Sequence, residues 1–240
     1  MSNARDRARQ QKEMAERRKK ERRLLIIVGV GLVVVVLVGG LLVQAYRTSR
    51  APSATGAQER TVTFADVKIE NGKPIKLGAA DAPVTVTMYE DFHCPHCAEF
   101  EEQFGPTITA FQNDGTAVVE LYPMAFIDEG SLSAANGMAC AAEEGFGQPF
   151  YEGLFKNPNL QWSTEQLVDL AEQTSDGDSG KFETCVTQNT HAQWVQSIGE
   201  AATANGVQST PSLFINGDPV DIRSLTPETL KTMISEAASQ

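Results

Sequence analysis

The pattern of apolar and polar positions divides the chain into a polar head, one long apolar run and a body of short, well-punctuated segments. The run, Leu24 to Val43, is 20 residues without a charge, and about 20 apolar residues are what a helix needs to cross a bilayer. Residues 44–60 are small and polar and read as a flexible linker. Strands are expected at 61–64, at 74–77 after an Asn71-Gly72 turn, and at 84–90, where Val84 opens the apolar run that ends at Tyr89. From Ala98 to Gln112 the apolar positions Phe100, Phe104, Ile108 and Phe111 fall three and four apart, which predicts an amphipathic helix. Asn113-Asp114-Gly115 is a turn signal, and 117–124 is a further apolar strand. Strand, helix, strand with a helical crossover implies a parallel pair.

The simple alternation then stops. Helical patterns cover 131–145, 147–156, 163–173, 178–188 and 190–205, with Ser163 and Gln166 spaced as a cap. This all-helical insertion, about residues 131–206, is too long to be a loop inside a compact domain. Ser209 to Val220 reads as strand, Asn216-Gly217 turn, strand. Thr226 as cap and Pro227 at the first position open a final helix. Phe92, Met124, Trp162, Trp194 and Phe214 are expected in packed interior, and His191 on the surface without a partner.

Charge separates the two sides of the apolar run. Residues 1–23 carry ten Lys/Arg and four Asp/Glu, whereas from residue 61 onward seven Lys/Arg face 26 Asp/Glu. By the positive-inside rule the basic tail 1–23 is cytoplasmic, 24–43 is an uncleaved transmembrane anchor and 47–240 lies outside. A cleaved signal peptide is the alternative, with Val43-Gln44-Ala45 resembling a cleavage site, but its core is usually about 7–15 apolar residues. Set directly before a span, the basic tail is a topology signal rather than a nucleic-acid arm. All four cysteines (Cys94, Cys97, Cys140, Cys185) then fall in an oxidising location, and their even number fits two disulfides.

Phe92-His93-Cys94-Pro95-His96-Cys97 carries the chemistry. It lies where a strand ends and a helix begins, with Pro95 at the first helical position, where no N–H is needed. Unpaired backbone N–H groups and the positive dipole end favour an anion there. Cys94 is therefore expected to be an acidified nucleophile and Cys97, one turn on, the resolving thiol. Strand, C-x-x-C, helix is a redox signature. Zinc ligation by Cys94, Cys97, His93 and His96 is disfavoured, because four ligands within six residues do not readily wrap one ion. Cys140 and Cys185 read as a structural disulfide stapling the insertion, with a second redox pair as the alternative.

Taken together, the Cys94-Pro95-His96-Cys97 motif after a strand, the helical insertion, and Thr210-Pro211 followed by Ser212-Leu213-Phe214-Ile215-Asn216-Gly217 resemble the DsbA-like branch of the thioredoxin superfamily, most closely its membrane-anchored Gram-positive forms. The resemblance spans about residues 61–240. It implies an α/β thioredoxin fold, a central mixed sheet flanked by helices and split by an all-helical domain, beyond one N-terminal transmembrane helix. It also implies a monomeric thiol:disulfide oxidase that needs no metal or bound cofactor and binds no nucleic acid. Its partners would be unfolded exported proteins with reduced thiols and a membrane quinone reductase of the DsbB or vitamin-K-epoxide-reductase type.

Position by position, Cys94 matches the nucleophile, Cys97 the resolving thiol and His96 the histidine that stabilises the thiolate. Pro211 matches the cis-proline facing the cysteines, with Thr210 offering backbone groups to an extended substrate. Many relatives keep a buried acid six residues before the first cysteine, where this chain has Met88. Glu90 or Asp91 stands in as candidate for proton transfer. Threonine before Pro211 is also found in isomerases of the superfamily, so isomerase or reductase is the second reading. A substrate-holding chaperone module is the third.

Overall fold

The computed structural model describes residues 67–175 and 180–240. The expected tail, membrane span, linker and 61–64 strand lie outside the described residues. Among the described residues no helix is long and apolar enough to cross a membrane.

A five-stranded mixed sheet has the order β1 (Ile75–Gly78), β3 (Ala117–Pro123), β2 (Val84–Glu90), β4 (Ser212–Ile215), β5 (Asp218–Val220). Only β2 and β3 run parallel, in the register Val84–Ala117 to Glu90–Pro123. Helix α1 (Pro95–Asn113) makes their crossover, as the strand–helix–strand pattern requires. Its buried residues Cys97, Phe100, Phe104 and Ile108 keep the three- and four-residue spacing of one helix face. The other pairings are antiparallel. Asn216 and Gly217 both adopt positive φ (50° and 87°), the backbone a two-residue β4–β5 hairpin demands.

Between β3 and β4 the chain forms α2 (Glu129–Glu143), α3 (Gly147–Lys156), α4 (Thr164–Thr174), α5 (Gly180–Thr187) and α6 (Ala192–Ala204). Helix α4 has the expected Ser163–Gln166 capping box, and α7 (Pro227–Ala237) is capped by Thr226 with Pro227 in its first turn. One continuous apolar core joins the strands to the insertion, and Phe92, Met124, Trp162 and Trp194 all lie in it.

Two expectations are corrected. Phe214 is half-buried, its ring standing edge-on to Tyr89, because alternate residues of β4 face opposite sides of the sheet. His191 is not a free surface histidine. Its Nε2 lies 2.9 Å from Glu143 Oε2, and its backbone N–H donates to Asn136 Oδ1 at 2.8 Å. It occupies the N-cap position of α6 without a side-chain cap bond and is tied instead to two groups of α2, a tertiary pairing with no trace in the local sequence.

Cys140 of α2 and Cys185 of α5 form a disulfide across 45 residues. Closing a loop of that length removes conformational freedom from the unfolded chain. Replacing both cysteines by serine is expected to cost about 2–4 kcal/mol in urea unfolding while leaving the Cys94–Cys97 pair able to react.

Candidate active site

Cys94 is the N-cap of α1, at φ −78° and ψ 116°. Its carbonyl accepts the N–H of Cys97 at 3.0 Å and of Ala98 at 3.1 Å, so the first turn carries the second cysteine beneath the first. Pro95 follows in the first turn, where its missing N–H leaves no bond unmade. Both thiols are free and buried, Cys94 at 8% exposure and Cys97 at 0%. The Thr210–Pro211 peptide bond is cis, and the Cys94 thiol donates to the Thr210 carbonyl at 3.6 Å. Residues 116 positions apart thus meet at one sulfur.

The loop ahead of Cys94 is held by Asp91, which is fully buried. Its Oδ1 accepts from the His93 N–H at 2.9 Å and from the Ser131 hydroxyl at 2.7 Å, and its Oδ2 accepts from the Phe126 N–H at 2.9 Å. Its backbone carbonyl accepts from the Cys94 N–H, also at 2.9 Å. Asp91, one of the two proton-transfer candidates, therefore has its acceptor capacity spent on holding backbone. Asp128 continues the same network: it caps α2 through Ser131 and faces His93 Nδ1 at 2.7 Å. Gly130 is required beside it, since a Cβ there would lie 2.2 Å from the His93 ring and 2.5 Å from the Gln161 carbonyl.

Glu90, the other candidate, is 0% exposed at the end of β2. The Tyr151 hydroxyl of α3 donates to its Oε2, and its Oε1 has no hydrogen-bond partner among the described residues. Burial, reinforced by Glu101, pushes its carboxyl well above the ordinary range. Cys97 is pushed up strongly as well, first by burial and then by the negative field of Glu90. A charge on Glu90 therefore opposes ionisation of Cys97.

Sequence reasoning missed Glu101 and Tyr151. Glu101 stands one turn after Cys97 on α1, beside a small void that Tyr151 also lines, and its Oε1 has no hydrogen-bond partner among the described residues. Desolvation raises it to about 7, with Glu152 adding to the rise. The i, i+4 spacing from Cys97 was the available signal for Glu101. Nothing local marks Tyr151. His96 is exposed, with its Nδ1 3.2 Å from Glu99 Oε2 on the next turn. Met88 is a buried core residue of β2.

Known proteins share sequence and fold with this chain. A thioredoxin family model matches residues 70–236. Disulfide bond formation protein D of Bacillus subtilis is 30% identical over 156 residues, covering 60% of this chain and 68% of its own. A Na(+)/H(+) antiporter NhaA 3 of Salinispora tropica is 26% identical over 206 residues, but this chain spans only 30% of its length. Among solved structures, reduced DsbA from Mycobacterium tuberculosis superposes with a TM-score of 0.61 at 22% identity, over 70% of this chain and 93% of its own. At that identity the likeness shows the fold.

Two outcomes follow from the geometry. Asp91→Asn places an amide donor against backbone N–H groups, and is expected to cost about 1–3 kcal/mol in urea unfolding. It should also loosen 124–131, seen as faster amide exchange there. The second outcome is a pH dependence. A free glutamate titrates near 4.5 and Glu101 in the fold at about 7, so between those values the native state binds more protons than the unfolded chain. Stability from this group therefore falls as pH rises from 4.5 to 7. Glu101→Gln should flatten that part of a plot of urea midpoint against pH.

Proposed function

We propose, from the premise that this chain belongs to the thioredoxin family and is a DsbA-like thiol:disulfide oxidoreductase, that it works as an oxidase tethered to the outer face of the cell membrane. The observation that carries the reading is the Cys94 sulfur, held at a helix N-terminus against the Thr210 carbonyl, with Cys97 sealed behind it. A sulfur so placed is the one an incoming thiolate reaches first. The helix end favours its negative charge once the disulfide opens, and an oxidant is made by stabilising its reduced form.

The reaction begins with the Cys94–Cys97 disulfide. A substrate thiolate attacks the Cys94 sulfur, the Cys94–Cys97 bond breaks, and Cys97 leaves as a thiolate that takes a proton from Glu90. A second substrate thiolate then attacks the substrate sulfur of the mixed disulfide and releases Cys94 as a thiolate. The substrate loses two electrons to become a disulfide, and the enzyme gains them as a dithiol. The Thr210 backbone, beside Cys94, offers edge pairing to an extended chain and so accepts many sequences. His96 is exposed and paired at the surface with Glu99, a contact it would exchange for the sulfur when that ionises.

Exported proteins with reduced thiols are the fitting substrates, since residues 24–43 would anchor the chain and the basic tail would keep the catalytic domain outside. A quinone reductase in the same membrane, of the DsbB or vitamin-K-epoxide-reductase type, would return the dithiol to the disulfide.

The test is the reduction potential of Cys94–Cys97 in the full chain, purified in detergent and equilibrated in glutathione buffers. A value near the roughly −120 mV of DsbA is expected, and one near the about −270 mV of thioredoxin would make the protein a reductase. Cys94→Ser should abolish oxidation of a reduced model peptide. If that variant keeps full peptide-handling activity, the protein is a holdase.

A further inference from the structure

Each turnover adds one proton at Cys97 and later removes it, yet neither Cys97 nor Glu90 has any exposure to water. Glu90 holds one proton's worth of capacity and must be refilled through the protein. The only oxygen bonded to its carboxylate among the described residues is the Tyr151 hydroxyl. Glu101 and Tyr151 line the same small void.

A phenol has one proton and can donate to one carboxylate at a time. With the Tyr151 proton on Glu90, the phenol oxygen can only accept from Glu101, whose Oε1 is buried without a hydrogen-bond partner among the described residues. Glu101 adjoins a void of about 10 Å³, the scale of a single water, shared with Gln112, Gln148 and Tyr151. From there Gln112 Nε2 donates to Gln148 Oε1 at 3.1 Å, and Gln148 Nε2 donates to Glu152 Oε1 at 3.4 Å, where the surface begins. Gly105, one turn after Glu101, leaves the space this carboxyl fills, since a Cβ there would lie 2.7 Å from Glu101 Oε2.

We propose that Glu90, Tyr151 and Glu101 form a proton relay that connects the buried Cys97 sulfur to solvent, with Tyr151 and Glu101 as positioning and transfer residues for the exchange at Cys97. The inference rests on the oxidoreductase reading and adds to it the route the proton takes. As the disulfide opens, Glu90 gives its proton to the Cys97 thiolate. The Tyr151 hydroxyl proton moves to Glu90 while the Glu101 proton moves to the Tyr151 oxygen, so the phenol is never ionised. Glu101 is left as the anion and is refilled by water at the void. Reoxidation runs the chain backwards and expels one proton. The charges that act on the relay are Cys94 and Cys97 from the start of α1 and Glu152 from α3. The Glu101 value of about 7 lets that residue hold or release a proton near neutrality.

The experiment is stopped-flow oxidation of a reduced dithiol peptide by the full chain in its disulfide form, from pH 5 to 9, in H₂O and D₂O. The variants are Tyr151→Phe, which keeps the ring, Glu101→Gln, which keeps the shape, Glu90→Gln, and the Glu90→Gln/Tyr151→Phe pair. Tyr151→Phe and Glu101→Gln are each expected to slow the step about tenfold or more. They should also remove the inflection near neutral pH and reduce the solvent isotope effect. In the Glu90→Gln background, Tyr151→Phe should add almost nothing, because a relay cut once is already cut. An unchanged pH profile and isotope effect in both variants would overturn the relay, as would additive losses in the double variant. A Tyr151→Phe chain with lowered stability but the wild-type pH profile would likewise make Tyr151 structural only. Failure of the underlying reading looks different: the wild-type disulfide would then not oxidise the peptide at any pH.

Discussion

Four hydrogen bonds converge on Asp91, a carboxylate residue with no access to water, and the working end of the protein is built outward from it. Its carbonyl fixes the amide of Cys94, its Oδ1 fixes His93 and Ser131, and its Oδ2 fixes the start of the β3–α2 connection at Phe126. A buried carboxylate is tolerable only when its acceptor sites are filled, so the loop, the helix start and the cysteine hold one another in place. Asp128 and Gly130 extend that arrangement to the His93 ring, leaving Cys94 poised at its helix end by contacts from three separate segments.

The two acids that precede the motif divide the labour by neighbour rather than by type. Asp91 has donors on both oxygens and serves as a structural anchor. Glu90, adjacent in sequence, has one donor and one bare oxygen, and its burial raises its proton affinity. The alternation of side-chain direction at the end of β2 sends them to different surroundings. Met88, two residues before Glu90 on the same strand, is buried in the core.

Local periodicity made most of the architecture legible. The apolar stripe Phe100, Phe104, Ile108 marked α1, Asn216-Gly217 marked the final hairpin, and Thr226-Pro227 marked the start of α7, because each is decided by backbone preference within a few residues. The start of α2 was expected at 131 and lies at 129, since Glu129-Gly130 lacks a helical apolar signal and the Asp128 cap was not recognised. Cys94, Cys97 and Pro211 were readable because their chemistry is tied to spacing and to a known pattern. Tyr151, 61 residues from Glu90, and the His191–Glu143 pair were not, since only the folded insertion brings them together.

The insertion has a further consequence for how the molecule comes into being. A chain emerging from its N-terminus completes β1, β2, β3 and α1 by Pro123, but β2 then has an open edge until β4 begins at Ser212. Non-local pairing of that kind is slow, and an unpaired central strand is a site for wrong association. During that interval Cys94 lacks the Thr210 carbonyl, and the Cys94–Cys97 pair sits in a half-built sheet. The redox centre is thus assembled from the earliest and latest parts of the described fold, so its geometry exists only once nearly the whole domain has been made.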